Sequence, residues 1–162
     1  MKLQMTRIHQ LDQIDRDILS NLQADGRMTN VDLAQKVGLT APPCLRRVRA
    51  LEEAGVIKGY HADLSAHALD WPITVFAMVS LKSQAESDLR AFEAHVAGLP
   101  QVRECHMLNG EIDFILKLVA RDLPSFQAFL TDNLTSAPNV ASVKTSLTIR
   151  TSKSQIGVPV DG

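Results

Sequence analysis

Two cysteines in 162 residues leave no room for a covalent framework. Cys44 and Cys105 fall in different predicted modules, with no CxxC pair and no His or Cys nearby at ligand spacing. Neither a disulfide scaffold nor a zinc site is therefore indicated, and both thiols are expected as reduced packing residues. No apolar run approaches the ~18 residues that a bilayer span needs, and the opening MKLQMTRIHQ lacks the apolar core of a signal peptide. No membrane partner and a cytoplasmic location are expected. Neither a nucleophile–base pair nor a cluster of metal-ligating residues stands out, so no catalysis, metal or cofactor is expected. The histidines His61, His67, His95 and His106 are scattered and are expected at the surface or with satisfied rings.

Charge of one sign is also missing, since the net charge is −1. Divided, it is informative: residues 1–60 carry 9 Lys and Arg against 7 Asp and Glu, while the remainder carries 8 against 11. The first part is cationic and the second anionic, as expected of a nucleic-acid-binding module joined to a different one. At this charge a few phosphate contacts per chain bind weakly, so copies are expected to act together.

The cationic part shows a pattern. Thr29 with Asp32 forms a capping-box spacing ahead of Leu33, Ala34 and Val37, and Gly38 ends that helix. Thr40 is the next N-cap candidate, with Pro42 and Pro43 in the first turn, where missing N–H groups cost nothing. Ala41, Cys44, Leu45, Val48 and Leu51 cluster on one side at 100° per residue. Arg46, Pro42 and Pro43 point the other way, flanked by Arg47 and Arg49. Gly55 supplies the stop. An earlier helix, with Leu11, Ile14, Ile18, Leu19 and Leu22 in a stripe and Asp12 and Asp15 as cap candidates, completes a three-helix core. Two capped helices about a glycine turn, the second basic, are expected to form a helix-turn-helix that binds double-stranded DNA. Thr40, Pro42, Pro43, Arg46, Arg47 and Arg49 are its candidate DNA-contacting residues. Residues 1–60 are assigned to this domain. VIKGYHADL (56–64) is expected as a strand leading out of it, and residues 61–72 as a hinge.

Beyond Pro72 the pattern βαβ occurs twice: strand 73–82, helix 86–98, strand 102–109, then strand 111–119, helix 123–136, strand 140–150. Leu99-Pro100-Gln101-Val102 and Ala137-Pro138-Asn139-Val140 open the last strand of each half, and Asn109-Gly110 reads as a tight hairpin that uses positive φ. The class is α+β, with a ferredoxin-like βαββαβ domain over 73–151 and a tail over 152–162. Its strands are apolar on both faces, Phe76, Met78, Ile115 and Val119 lying opposite the core rows. A second copy is expected to cover them, so the homodimer presents two DNA-reading helices.

The chain resembles the Lrp/AsnC (feast/famine) transcriptional regulators over about residues 9–150. Carrying the resemblance are Leu11-Asp12-Gln13-Ile14-Asp15, Asp25-Gly26-Arg27, Val37-Gly38-Leu39, Pro43-Cys44-Leu45-Arg46-Arg47-Val48, Leu51-Glu52, Gly55-Val56-Ile57 and Gly110-Glu111-Ile112-Asp113-Phe114. It implies a winged helix-turn-helix, an amino-acid-sensing βαββαβ domain, dimers assembling to octamers or similar rings, a nucleoid-associated location, and DNA binding modulated by a small effector. It also implies that Asn109, Gly110, Glu111 and Asp113 line the effector cleft. There the turn would offer backbone N–H groups to a carboxylate and Asp113 an acceptor to an ammonium. Thr40-Ala41, Pro42, Asn109, Glu111 and Ile112 depart from the residues common in the family. Two other functions share the architecture: a sirohaem-decarboxylase-like enzyme, which needs no basic helix face, and an architectural DNA-binding protein indifferent to effectors.

Overall fold

The apolar stripes of the cationic part find a common core in three helices: α1 (Gln13–Ala24), α2 (Asn30–Lys36) and α3 (Ala41–Glu53). The computed structural model describes residues 11–160, which divide into two units, one running to Asp63 and including the segment from Lys153, the other spanning Leu64–Ser152. Ile18, Leu33, Ala34, Val37, Cys44, Val48 and Leu51 build the first core. Asp12 and Asp15 form a reciprocal capping box at the start of α1. Thr29 caps α2 through Asp32 N, but the Asp32 carboxylate takes the Thr29 hydroxyl proton rather than a backbone N–H. Gly38 and Gly55 turn the chain at φ +69° and +71°, a region where a Cβ would be strained.

The segment 56–64 forms no strand. A strand needs an edge to pair with, and none exists among the described residues of this unit. The chain leaves α3 with Val56 N and Ile57 N both bonded to Leu51 O, and the Tyr60 hydroxyl donates to Glu52 Oε1 at 2.9 Å. The segment from Lys153 is not idle. The Gln23 carboxamide pairs with both backbone groups of Val158, and Arg16 donates to Val160 O. Gly157, at φ +77°, lies so close to Gln23 that a Cβ would run into its side chain.

In the second unit β1 (Ile73–Leu81), α4 (Glu86–Ala97), β2 (Val102–Met107), β3 (Phe114–Ala120), α5 (Leu123–Phe129) and β4 (Val140–Leu147) follow in order. The sheet runs β2-β3-β1-β4 with every pair antiparallel, the ferredoxin-like order. Alternation sets the layers: Val75, Ala77, Val79 and Leu81 share one face with Phe114, Leu116, Leu118 and Ala120, all buried with Phe92, Val96, Phe129 and Leu134 from the helices. On the opposite face Phe76 pairs with Lys117, Met78 with Ile115 and Thr74 with Val119, none of them buried.

Two local expectations change. The β2–β3 connection is not a two-residue hairpin: β2 ends at Met107, β3 begins at Phe114, and neither Asn109 nor Gly110 takes positive φ. Asp113 explains this, because its backbone is spent holding a wider loop, with Leu108 N bonded to Asp113 O and Asp113 N to Val79 O. The helix after β3 widens to a π-helix over Leu130–Thr135, where His95 Nε2 donates to the Asn133 carbonyl at 2.7 Å. Both thiols are free; burial pushes Cys44 and Cys105 above the ordinary range, which suits packing and not reactivity.

Leu116, fully buried at the centre of this sheet, supplies the test of the core. Leu116→Ala is expected to cost about 2–5 kcal/mol of unfolding free energy in denaturant melts. A cost below about 1 kcal/mol would contradict the packing described.

Candidate nucleic-acid interface and effector turn

The circumference of α3 is divided among three jobs. Cys44, Val48 and Leu51 are buried, Arg46 and Arg49 are exposed with no hydrogen-bond or ion-pair partner among the described residues, and Arg47 lies between. Its Nη1 reaches Asp12 Oδ2 at 2.7 Å and Asp15 Oδ1 at 2.8 Å on the facing end of α1. The Asp15 backbone N–H, then Arg47, hold the Asp12 carboxyl below the usual range, while Asp15 and Asp12 raise the Arg47 guanidinium. Of the three arginines read from the sequence as one cationic face, two are open to a partner and one is engaged within the chain.

The start of α3 is unusual for a simple reason. Thr40 has N-cap geometry, φ −86° and ψ 160°, yet its side chain makes no cap bond. An N-cap hydroxyl accepts from the N2 or N3 amide, and here those positions are Pro42 and Pro43, which have no N–H. Thr40 is exposed at the start of the helix, its hydroxyl without a cap partner. Asn30 compensates from α2 by donating to Ala41 O at 2.8 Å. Leu45, grouped by periodicity with the packing residues, is 37% exposed. Taking 100° per residue, it lies about 90° from the centre of the buried stripe, at the edge of the packed face.

In the second unit the four candidate effector residues part company. Asn109, Gly110 and Glu111 are exposed on the loop, with open space around Gly110. Asp113 is buried at 8% exposure and faces inward. Its Oδ2 accepts from Leu81 N at 2.7 Å and its Oδ1 from Gln84 Nε2 at 2.8 Å. With both oxygens engaged within the chain, Asp113 fixes the loop to the end of β1. Gln84, the partner that reveals this, carried no motif signal.

Residues 11–58 match the family model of a winged helix-turn-helix DNA-binding domain, and residues 74–158 match that of the Lrp/AsnC ligand-binding domain. The chain is 54% identical to a leucine-responsive regulatory protein of Rhizobium meliloti over 93% of its own length and 97% of the relative's. It is 45% identical to a Bkd operon transcriptional regulator of Pseudomonas aeruginosa, covering 87% and 92%. Among solved structures, a transcriptional regulator of Neisseria meningitidis in complex with L-Met superposes with a TM-score of 0.89 at 35% identity, covering 93% and 97% of the two chains. No helix among the described residues is long and apolar enough to cross a membrane.

The exit from α3 offers a spectroscopic check. Burial, then the neighbouring Glu52 carboxylate, pushes the Tyr60 phenol up to about 12. Because the folded value lies above the ~10 of an unfolded chain, this contribution to stability is complete below about pH 10 and is lost as pH rises toward the folded value. Tyr60 is the single tyrosine, so the ultraviolet phenolate band reports it alone. The folded protein is expected to stay largely un-ionised where a free tyrosine is half titrated, and Glu52→Gln to move the midpoint down. A midpoint near the free value in the native chain would contradict the contact.

Proposed function

Since the chain belongs to the Lrp/AsnC family of transcriptional regulators, we propose that α3 is its DNA-reading helix and that Arg46, Arg49 and the Thr40 hydroxyl are the groups that touch the duplex. The carrying observation is that Arg46 and Arg49 are exposed on one side of α3 without a partner among the described residues. A guanidinium fork can bond a guanine edge through two donors or hold a phosphate, and a free hydroxyl suits a phosphate oxygen. Pro42 and Pro43 shape the entry to the helix and contribute surface, having no N–H to donate.

The second unit, on this reading, senses a small effector, an amino acid. The leucine-responsive relatives and the L-Met complex of the Neisseria regulator support that class of ligand. Asn109, Gly110 and Glu111 present polar groups on a loop that Asp113 keeps in shape. The apolar face bearing Phe76, Met78, Ile115 and Val119 supports a homodimer through the sheet, with further assembly to octamers or similar rings bringing effector loops together. The effector favours one assembly geometry and so alters how the paired α3 helices meet DNA, binding without catalysis.

Arg46→Ala and Arg49→Ala are each expected to weaken duplex binding by about 1–3 kcal/mol and to lower the slope of log affinity against log salt by about 1 where the contact is a phosphate. Unchanged affinity in both variants across a salt series would remove α3 from the interface. Titration with single amino acids, followed by DNA affinity and by mass in solution, is expected to shift at least one of the two. Asp113→Ala should abolish that shift while leaving basal DNA binding in place. Indifference of the wild-type protein to every amino acid would end the sensor reading.

A further inference from the structure

We propose that Arg47 is a positioning residue: it sets the angle of α3 by bridging Asp12 and Asp15, and it does not contact DNA. This rests on α3 being the DNA-reading helix. The four carboxylate oxygens are shared out without conflict. Asp12 uses Oδ1 to accept from Asp15 N at 2.8 Å and Oδ2 to accept from Arg47; Asp15 uses Oδ2 to accept from Asp12 N at 3.3 Å and Oδ1 to accept from Arg47. The capping box thus holds both carboxylates in place alongside the guanidinium, and α1 serves as a platform for a single nitrogen of α3.

The bridge supplies what the rest of α3 lacks. Its buried stripe is short, and Pro42 and Pro43 forbid a side-chain cap from Thr40. Asn30 on Ala41 O holds the first turn and Arg47 holds the second, one from α2 and one from α1. With rotation about the helix axis fixed at two points, Arg46 and Arg49 project on a defined bearing. A groove contact depends on that bearing, since a misplacement of about 1 Å breaks a bidentate pair.

The signs of the expected effects separate this role from its rivals. Near polyanionic DNA, neutralising an aspartate with no other duty raises affinity. If Asp12 and Asp15 orient the reading helix, neutralising them lowers it instead. Asp15→Asn and Asp12→Asn keep side-chain volume and an oxygen for the cap bond, and Asn is itself a good N-cap, so the helix should persist. The experiment measures binding of sheared genomic duplex by the full chain over a salt series, with circular dichroism confirming each variant is folded. Arg47→Ala, which loses both links to α1, is expected to weaken binding about tenfold, Asp15→Asn, which keeps Arg47 on Asp12, to weaken it less, and Arg47→Ala/Asp15→Asn to be no weaker than Arg47→Ala alone. The salt slope should stay at the wild-type value in Asp15→Asn and Arg47→Ala, since neither removes a phosphate contact.

Affinity equal to or above wild type in both Asp15→Asn and Asp12→Asn, a reduced salt slope in Arg47→Ala, or additive losses in the double variant would each overturn the proposal. Failure of the underlying reading looks different: Arg46→Ala and Arg49→Ala would then leave affinity and slope untouched whatever the aspartates do.

Discussion

The buried stripe of Cys44, Val48 and Leu51 decides everything else that α3 can do. Three inward side chains in the core that holds Ile18 and Leu33 commit a narrow stripe of the helix to that core and leave the remainder to water or a partner. Such a seat resists pulling away better than it resists rolling, because apolar contact is non-directional. Directional bonds must supply the rest, and they come from Asn30 at the first turn and from the Asp12–Arg47–Asp15 bridge at the second. The exposed arginines gain a bearing from groups that never leave the chain.

Much of this was legible in the sequence, and the parts that were not have definite causes. Periodicity placed all three helices and both βαβ halves because each buries one face, and burial is what the 3.6- and 2-residue repeats encode. Capping spacings located the starts of α1 and α2. Arg47 was grouped with Arg46 and Arg49 because a helical projection shows angle but not what stands opposite, and its partners are more than thirty residues away. Asp113 was offered to a ligand for the same reason: the donors of Leu81 and Gln84 reach it only once β1 and β3 are paired. The strand expected over 56–64 had the composition of one and lacked an edge to join.

Thr40 shows the opposite case, a local rule that fails for a local reason. An N-cap threonine is normally consumed by its own helix. Prolines at the second and third helical positions delete both donors it would accept from, so its hydroxyl remains available on the surface. Substituting a cap-compatible residue at Pro43 would draw the hydroxyl inward and take a polar group from the outer face. The two prolines thus have an effect beyond starting a helix abruptly: they keep the end of α3 open to whatever approaches it.

The two units use carboxylates in the same manner. Asp12 and Asp15 in one, Asp113 in the other, carry the charge that would interact most strongly with a partner, yet each has its oxygens engaged by donors of the chain itself. The neighbours they hold, Arg46 and Arg49 on α3 and Asn109 to Glu111 on the β2–β3 loop, remain exposed. A binding group with no internal partner has no bond to break when a ligand arrives, but it has freedom to lose. Anchoring the backbone a few residues away reduces that loss without occupying the group. In both units, then, a carboxylate held by donors of its own chain fixes backbone near exposed polar groups and leaves those groups themselves unengaged.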